Sequence, residues 1–160
     1  MPLRRLRRAY RRSTNPKYID PLHAGRHPFQ TFMLATASVT GAPLIAGHVP
    51  AGSVEATLPP WLIAIWGGML LTGSVTALAG SHWRGDYANG LTIERVGLIL
   101  CGTASLCYAT IILSAFAMAG LLAGGIIFGF GAASLTRATD IGIIIGRATD
   151  EVTPGKTVEP

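Results

Sequence analysis

The sequence predicts an all-α membrane protein of four transmembrane helices with both termini in the cytoplasm, and three observations lead there. Val96 to Leu135 is a run of forty residues without one charged side chain. A bilayer core of about 30 Å is crossed by about 20 helical residues, so that run has the length of two crossings joined by a turn. The chain is 49% hydrophobic and 13% charged, against about 25% charged in an ordinary soluble domain. All thirteen Lys and Arg side chains fall in segments that four crossings place on one side of the membrane. Helices are expected because lipid leaves no backbone N–H or C=O satisfied from outside, and the apolar runs lack the alternation of barrel strands.

The elements follow in order. Residues 1–28 form a basic arm, with Arg4, Arg5, Arg7, Arg8, Arg11, Arg12, Lys17 and Arg26 against Asp20, a net charge of +7. The first span, about Phe29 to Gly47, is diluted by Gln30, Thr31, Thr36, Ser38 and Thr40 and interrupted by Pro43. The second, about Pro60 to Gly80, opens on Pro59-Pro60, since proline is at home in the first turn of a helix. Trp61 and Trp66 read as aromatic anchors at one interface and Trp83 at the other. The forty-residue block divides into spans from about Glu94 to Leu113 and about Ala117 to Leu135, with a turn near Ser114 to Gly120. Residues 136–160 form a tail, and no length remains for a separate soluble catalytic domain.

Basic residues hold the loops beside a span in the cytoplasm, so the arm should stay inside. The link from His48 to Pro59 and the turn after Leu113 then face out, and neither contains a Lys or Arg. Three spans instead of four would place Arg137, Arg147 and Lys156 outside, against the same rule.

Several residue clusters invite a functional reading. The arm's arginines Arg4, Arg5, Arg7, Arg8, Arg11 and Arg12 suit anionic headgroups and topology anchoring, with Leu3 and Leu6 available to the interface. A signal peptide needs an apolar core close behind the charges, and Tyr18 to Pro28 is polar and irregular. Nucleic acid is not expected, because Tyr10 is the one aromatic within the cluster. Cys101 and Cys107, six residues apart on a helix, point to largely opposite faces and read as packing residues. His23, His27, His48 and His82 have no ligand spacing, so neither metal nor cofactor is expected. Glu94-Arg95 reads either as a buried relay pair or as a plain interfacial helix terminus. Gly120, Gly124, Gly125 and Gly129 give two overlapping G-x-x-x-G spacings for helix packing within one chain or between copies. Arg137-Ala-Thr-Asp140 recurs as Arg147-Ala-Thr-Asp150 around Ile-Gly-Ile-Ile-Ile-Gly, an apolar hexapeptide too short to span. It reads as an interfacial segment or as a strand-like one that pairs with a partner.

No G-x-S-x-G, H-E-x-x-H, phosphate-binding glycine loop or pair of carboxylates inside a span is present, so no enzyme is expected. Trp83-Arg84-Gly85, then Leu91-Thr92-Ile93-Glu94-Arg95-Val96-Gly97, then Tyr108-Ala109, resembles a pattern in small multi-span membrane proteins encoded by tailed phages of actinobacteria. The resemblance covers roughly Trp61 to Leu135, rests on structural residues and transfers no site. It implies a holin-like protein of the cytoplasmic (inner) membrane that oligomerises and permeabilises the bilayer. The alternative is a non-enzymatic interaction or scaffold protein, for superinfection exclusion or as a small subunit of a larger membrane complex. That alternative gains from the narrow polar face, since a pore built of copies needs a broader hydrophilic stripe than the first span offers. Expected partners are anionic lipid, further copies of the chain, or other membrane subunits.

Overall fold

The computed structural model describes residues 28–48, 58–83, 87–116, 118 and 120–152. The arm's arginines and residues 153–160 lie outside the described residues. Every regular element described is an α-helix: α1 Pro28–Ile45, α2 Pro60–Ser81, α3 Tyr87–Phe116 and α4 Leu121–Val152. Three of them, α2, α3 and α4, are long and apolar enough to cross a membrane. The more polar α1 is not among those three.

Local chemistry sets the helix ends. Pro60 starts α2, and Pro59 supplies the carbonyl that takes the first backbone bonds, from Leu62 at 3.0 Å and Ile63 at 3.3 Å. The far end of α2 closes with Trp83 N–H on Gly80 O at 3.2 Å and Ser81 Oγ on Leu78 O at 2.9 Å. In α1 the close is a Schellman motif. Gly47 takes φ 75°, its N–H reaches Leu44 O at 3.2 Å, and His48 N–H reaches Pro43 O at 2.9 Å. Glycine is needed at that left-handed position, and it satisfies two terminal carbonyls that lipid would leave bare.

Each helix packs antiparallel on the next, and extensive contact is confined to these sequence neighbours. The result is an open array of α1–α2–α3–α4, with its core at the three seams. Leu34, Leu70, Ala77, Leu98, Cys101 and Ile141 are among its most buried side chains. Lipid is as apolar as leucine, so burial alone does not draw such helices together and close backbone approach must supply the packing. Small residues provide it along every seam.

The helices outrun the spans read from the sequence. α3 begins at Tyr87 rather than near Glu94 and ends at Phe116, while α4 runs from Leu121 through both Arg-Ala-Thr-Asp segments to Val152. At 30 and 32 residues they are about 45 and 48 Å long. The hexapeptide Ile141 to Gly146 is therefore helical, not a strand-like segment, and residues 136–152 are not an irregular tail. Its isoleucines favour a strand by propensity and its glycines weaken a helix, but helical spacing puts Ile141 and Ile145 on one face with Ala138, packed in the core. That packing outweighs propensity. α3 ends at Phe116 and α4 begins at Leu121, so the turn falls within the interval the sequence indicates.

Candidate functional site

The α2–α3 seam is where backbones come closest. A Cβ added at Gly73 would lie 3.0 Å from Gly97 O, and one at Gly97 would lie 2.6 Å from Gly73 O and collide with Ala77 N. At the end of this seam nearest the α2–α3 connection Gly80 faces Glu94, and a Cβ there would lie 2.7 Å from the Glu94 Cα. Farther out, Trp66 stacks on Tyr108 with ring centroids 4.0 Å apart and donates its indole N–H to Ala104 O at 3.0 Å. Trp66 is thus a packing residue of this seam rather than the second interfacial anchor the sequence suggests, whereas Trp61 and Trp83 stay exposed. An indole can turn inward here because a helix carbonyl accepts its hydrogen. The α1–α2 seam has its own small contact at Gly41 and Gly67 and a hydroxyl pair, Ser38 Oγ to Ser74 Oγ, at 2.8 Å.

The α3–α4 seam holds the one buried charge among the described residues. Glu94 is 6% exposed, and its Oε1 accepts a hydrogen bond from Arg137 Nε at 3.4 Å. Of the two readings of Glu94-Arg95, the plain helix terminus fails: Glu94 lies two turns inside α3 and forms an ion pair across to α4. Arg95 next to it is exposed and crosses α4 instead, its guanidinium Cζ lying 2.8 Å from where a Cβ on Gly142 would sit. The partner of Glu94 escaped sequence analysis because Arg137 lay in what read as a tail.

The four glycines of the double G-x-x-x-G spacing divide between two surfaces. Gly120 and Gly124 pack within the chain against Ile112, Leu113 and Phe116 of α3. Gly125 and Gly129 have nothing within 4 Å. Beside them, Met118, Leu121, Leu122, Gly125 and Ile126 line a shallow apolar groove on the outside of α4. Of the cysteines, Cys101 packs as expected, while Cys107 is exposed rather than a packing residue.

Polar groups in the helices are satisfied internally. Thr36, Thr40, Thr72 and Thr110 each bond the carbonyl four residues back at 2.6 to 2.9 Å. Among the described residues no buried side-chain N or O lacks a partner. Such back-bonding lets a hydroxyl face hydrocarbon at little cost. Among the described residues no three His, Cys, Asp or Glu side chains converge where a metal ion would sit. What the arrangement offers is therefore helix-to-helix recognition and one charged contact.

No protein-family model, curated protein or solved structure matches this chain.

Proposed function

We propose that the chain is a non-enzymatic, four-span protein of the cytoplasmic membrane that associates laterally with further copies and permeabilises the bilayer, in the manner of a holin-like phage protein. The observation that carries this reading is the outward face of α4, where Gly125 and Gly129 lie open at the uncovered edge of the helix array. A second α4 can approach that edge closely, as α3 does on the opposite side at Gly120 and Gly124. For α1 as the fourth span, support comes from its back-bonded hydroxyls and its closed C-terminal turn. For both termini inside, it comes from the +7 arm and from Arg137, Arg147 and Lys156 after the fourth apolar run.

Induced expression with a membrane-potential dye tests the reading. The wild type should depolarise cells abruptly, and Gly129→Leu, which fills the open face without touching α3, should delay or abolish the event. A wild type that is harmless at high expression yet crosslinks to itself or to other membrane proteins replaces this reading with a second one. That second reading is the scaffold or small subunit, and one observation favours it: Thr36 and Thr40 of α1 spend their hydroxyl hydrogens on their own backbone, which narrows the hydrophilic stripe that could line a pore.

A further inference from the structure

Two arginines meet the α3–α4 seam near Glu94, Arg137 from α4 and Arg95 from α3, but only one is neutralised. Arg137 takes up the Glu94 carboxylate. Arg95 is exposed and, among the described residues, has neither an ion pair nor a hydrogen bond. Asp140 does not serve it: on α4 it lies two residues from Gly142, about 200° round the helix. The guanidinium is nonetheless held in place, because Gly142 leaves a notch in α4. A Cβ there would come within 2.8 Å of Cζ, 2.9 Å of Nη2 and 3.2 Å of Nη1.

The depth of this notch decides what it meets. Counted from the turn between α3 and α4, about 20 residues cross the hydrocarbon core. That count brings α3 to Val96 and α4 to Asp140, so Arg95 and its notch lie at the boundary between acyl chains and headgroups. One turn farther into the membrane on the same side of α3, Ile99 is exposed and offers an apolar surface below the cation. A cation at headgroup level above exposed hydrocarbon matches a phospholipid of net negative charge.

We propose that Arg95, seated in the Gly142 notch, is a binding site for the phosphate of an anionic phospholipid in the inner leaflet, with an acyl chain running down past Ile99. The guanidinium offers a fork of N–H donors that fits phosphate oxygens, and seated against Gly142 it remains exposed to them. Glu94 does not compete for it because Arg137 holds the carboxylate. The site rests on the crossing and orientation of α3 and α4 proposed above, and it stands whether or not copies of the chain open lesions.

Native mass spectrometry of the full chain, released from micelles doped with phosphatidylglycerol or with phosphatidylcholine, tests the site through the ratio of one-lipid adduct to lipid-free protein. The wild type should prefer phosphatidylglycerol, and Arg95→Gln should lower that preference about fivefold. Gly142→Ala keeps every charge and displaces only the flexible tip of Arg95, so it is expected to fold and to lose part of the preference. Lys156→Gln, outside the arm's arginine cluster, should leave the ratio unchanged. The proposal is overturned if Arg95→Gln is silent, if Lys156→Gln costs as much as Arg95→Gln, or if Gly142→Ala has no effect. Inorganic phosphate at millimolar concentration should not displace the lipid, and displacement would overturn the lipid in favour of a free-phosphate site.

Discussion

Replacing Gly97 with alanine adds one methyl group where α2 and α3 touch. Its Cβ would stand 2.6 Å from Gly73 O and 2.7 Å from the Ala77 Cα, both backbone atoms with no rotamer in which to retreat. Ordinary contact begins near 3.4 Å, so the helices must part by at least about 0.8 Å at this crossing, and by more to clear Ala77 N. A gap of that size forfeits about a quarter to a half of the dispersion energy of the atoms along it. Overpacking of this kind costs about 2 kcal/mol, or about thirtyfold in the folding equilibrium. Alanine also favours helix over glycine, by up to ~1 kcal/mol in water. Gly125→Ala isolates that gain, because its Cβ meets nothing within 4 Å. Reversible unfolding in mixed micelles of dodecyl maltoside and dodecyl sulfate measures both variants, read by the fluorescence of Trp66, which bridges the same seam through Tyr108 and Ala104. Gly97→Ala should unfold at markedly lower dodecyl sulfate and Gly125→Ala at the same or a higher level. Equal midpoints would refute the argument that α2 and α3 are held by backbone proximity at Gly73, Ala77 and Gly97.

Three further outcomes are expected. Arg137→Met strands a carboxylate that is 8% exposed and should cost about 3 kcal/mol. Glu94→Met leaves an arginine already 22% exposed, which can extend to the headgroups at a cost of about 1 kcal/mol. The double variant should lie near the wild type in the same assay, and equal losses for the two singles would contradict the asymmetry of burial. Ser74→Ala removes the contact with Ser38 at 2.8 Å and should cost about 0.6 kcal/mol in that assay, the typical value for a hydrogen bond between membrane helices. Alkaline phosphatase fused after Gly52 should be active and fused after Asn89 inactive, and activity at Asn89 would refute the four-span topology.

The number and order of helices were legible because long apolar runs and Pro59-Pro60 are local signals in the chain. The inner ends were not. Charge at Glu94 and Arg137 marks a bilayer boundary in composition, but a helix does not stop where lipid stops, and α3 and α4 continue as long as Leu91, Ala138 and Ile141 have each other to pack on. The G-x-x-x-G signal was legible as a packing surface but not as two: spacing places Gly124 and Gly125 on one helix, and only the position of α3 determines which of them is covered. The tighter α2–α3 seam was missed for a related reason. Gly73, Ala77, Gly90 and Gly97 mix alanine with glycine at intervals of four and seven, so no single motif announces them. The lipid-facing notch at Gly142 had no sequence signature, since it exists only where Arg95 of another helix crosses it.

Because each helix leans chiefly on its predecessor and its successor, the fold can be completed in the order in which the ribosome delivers it. When α2 is made its partner α1 already exists; α3 then finds α2, and α4 finds α3. No helix must wait for one made two steps later, and none has to be threaded between two already settled. An α-helical hairpin also forms from contacts close in sequence, which is the fast limit of folding topologies. The last seam to close is the one with the buried ion pair. Until Arg137 emerges, the carboxylate of Glu94 lacks the partner that covers and neutralises it in the finished fold.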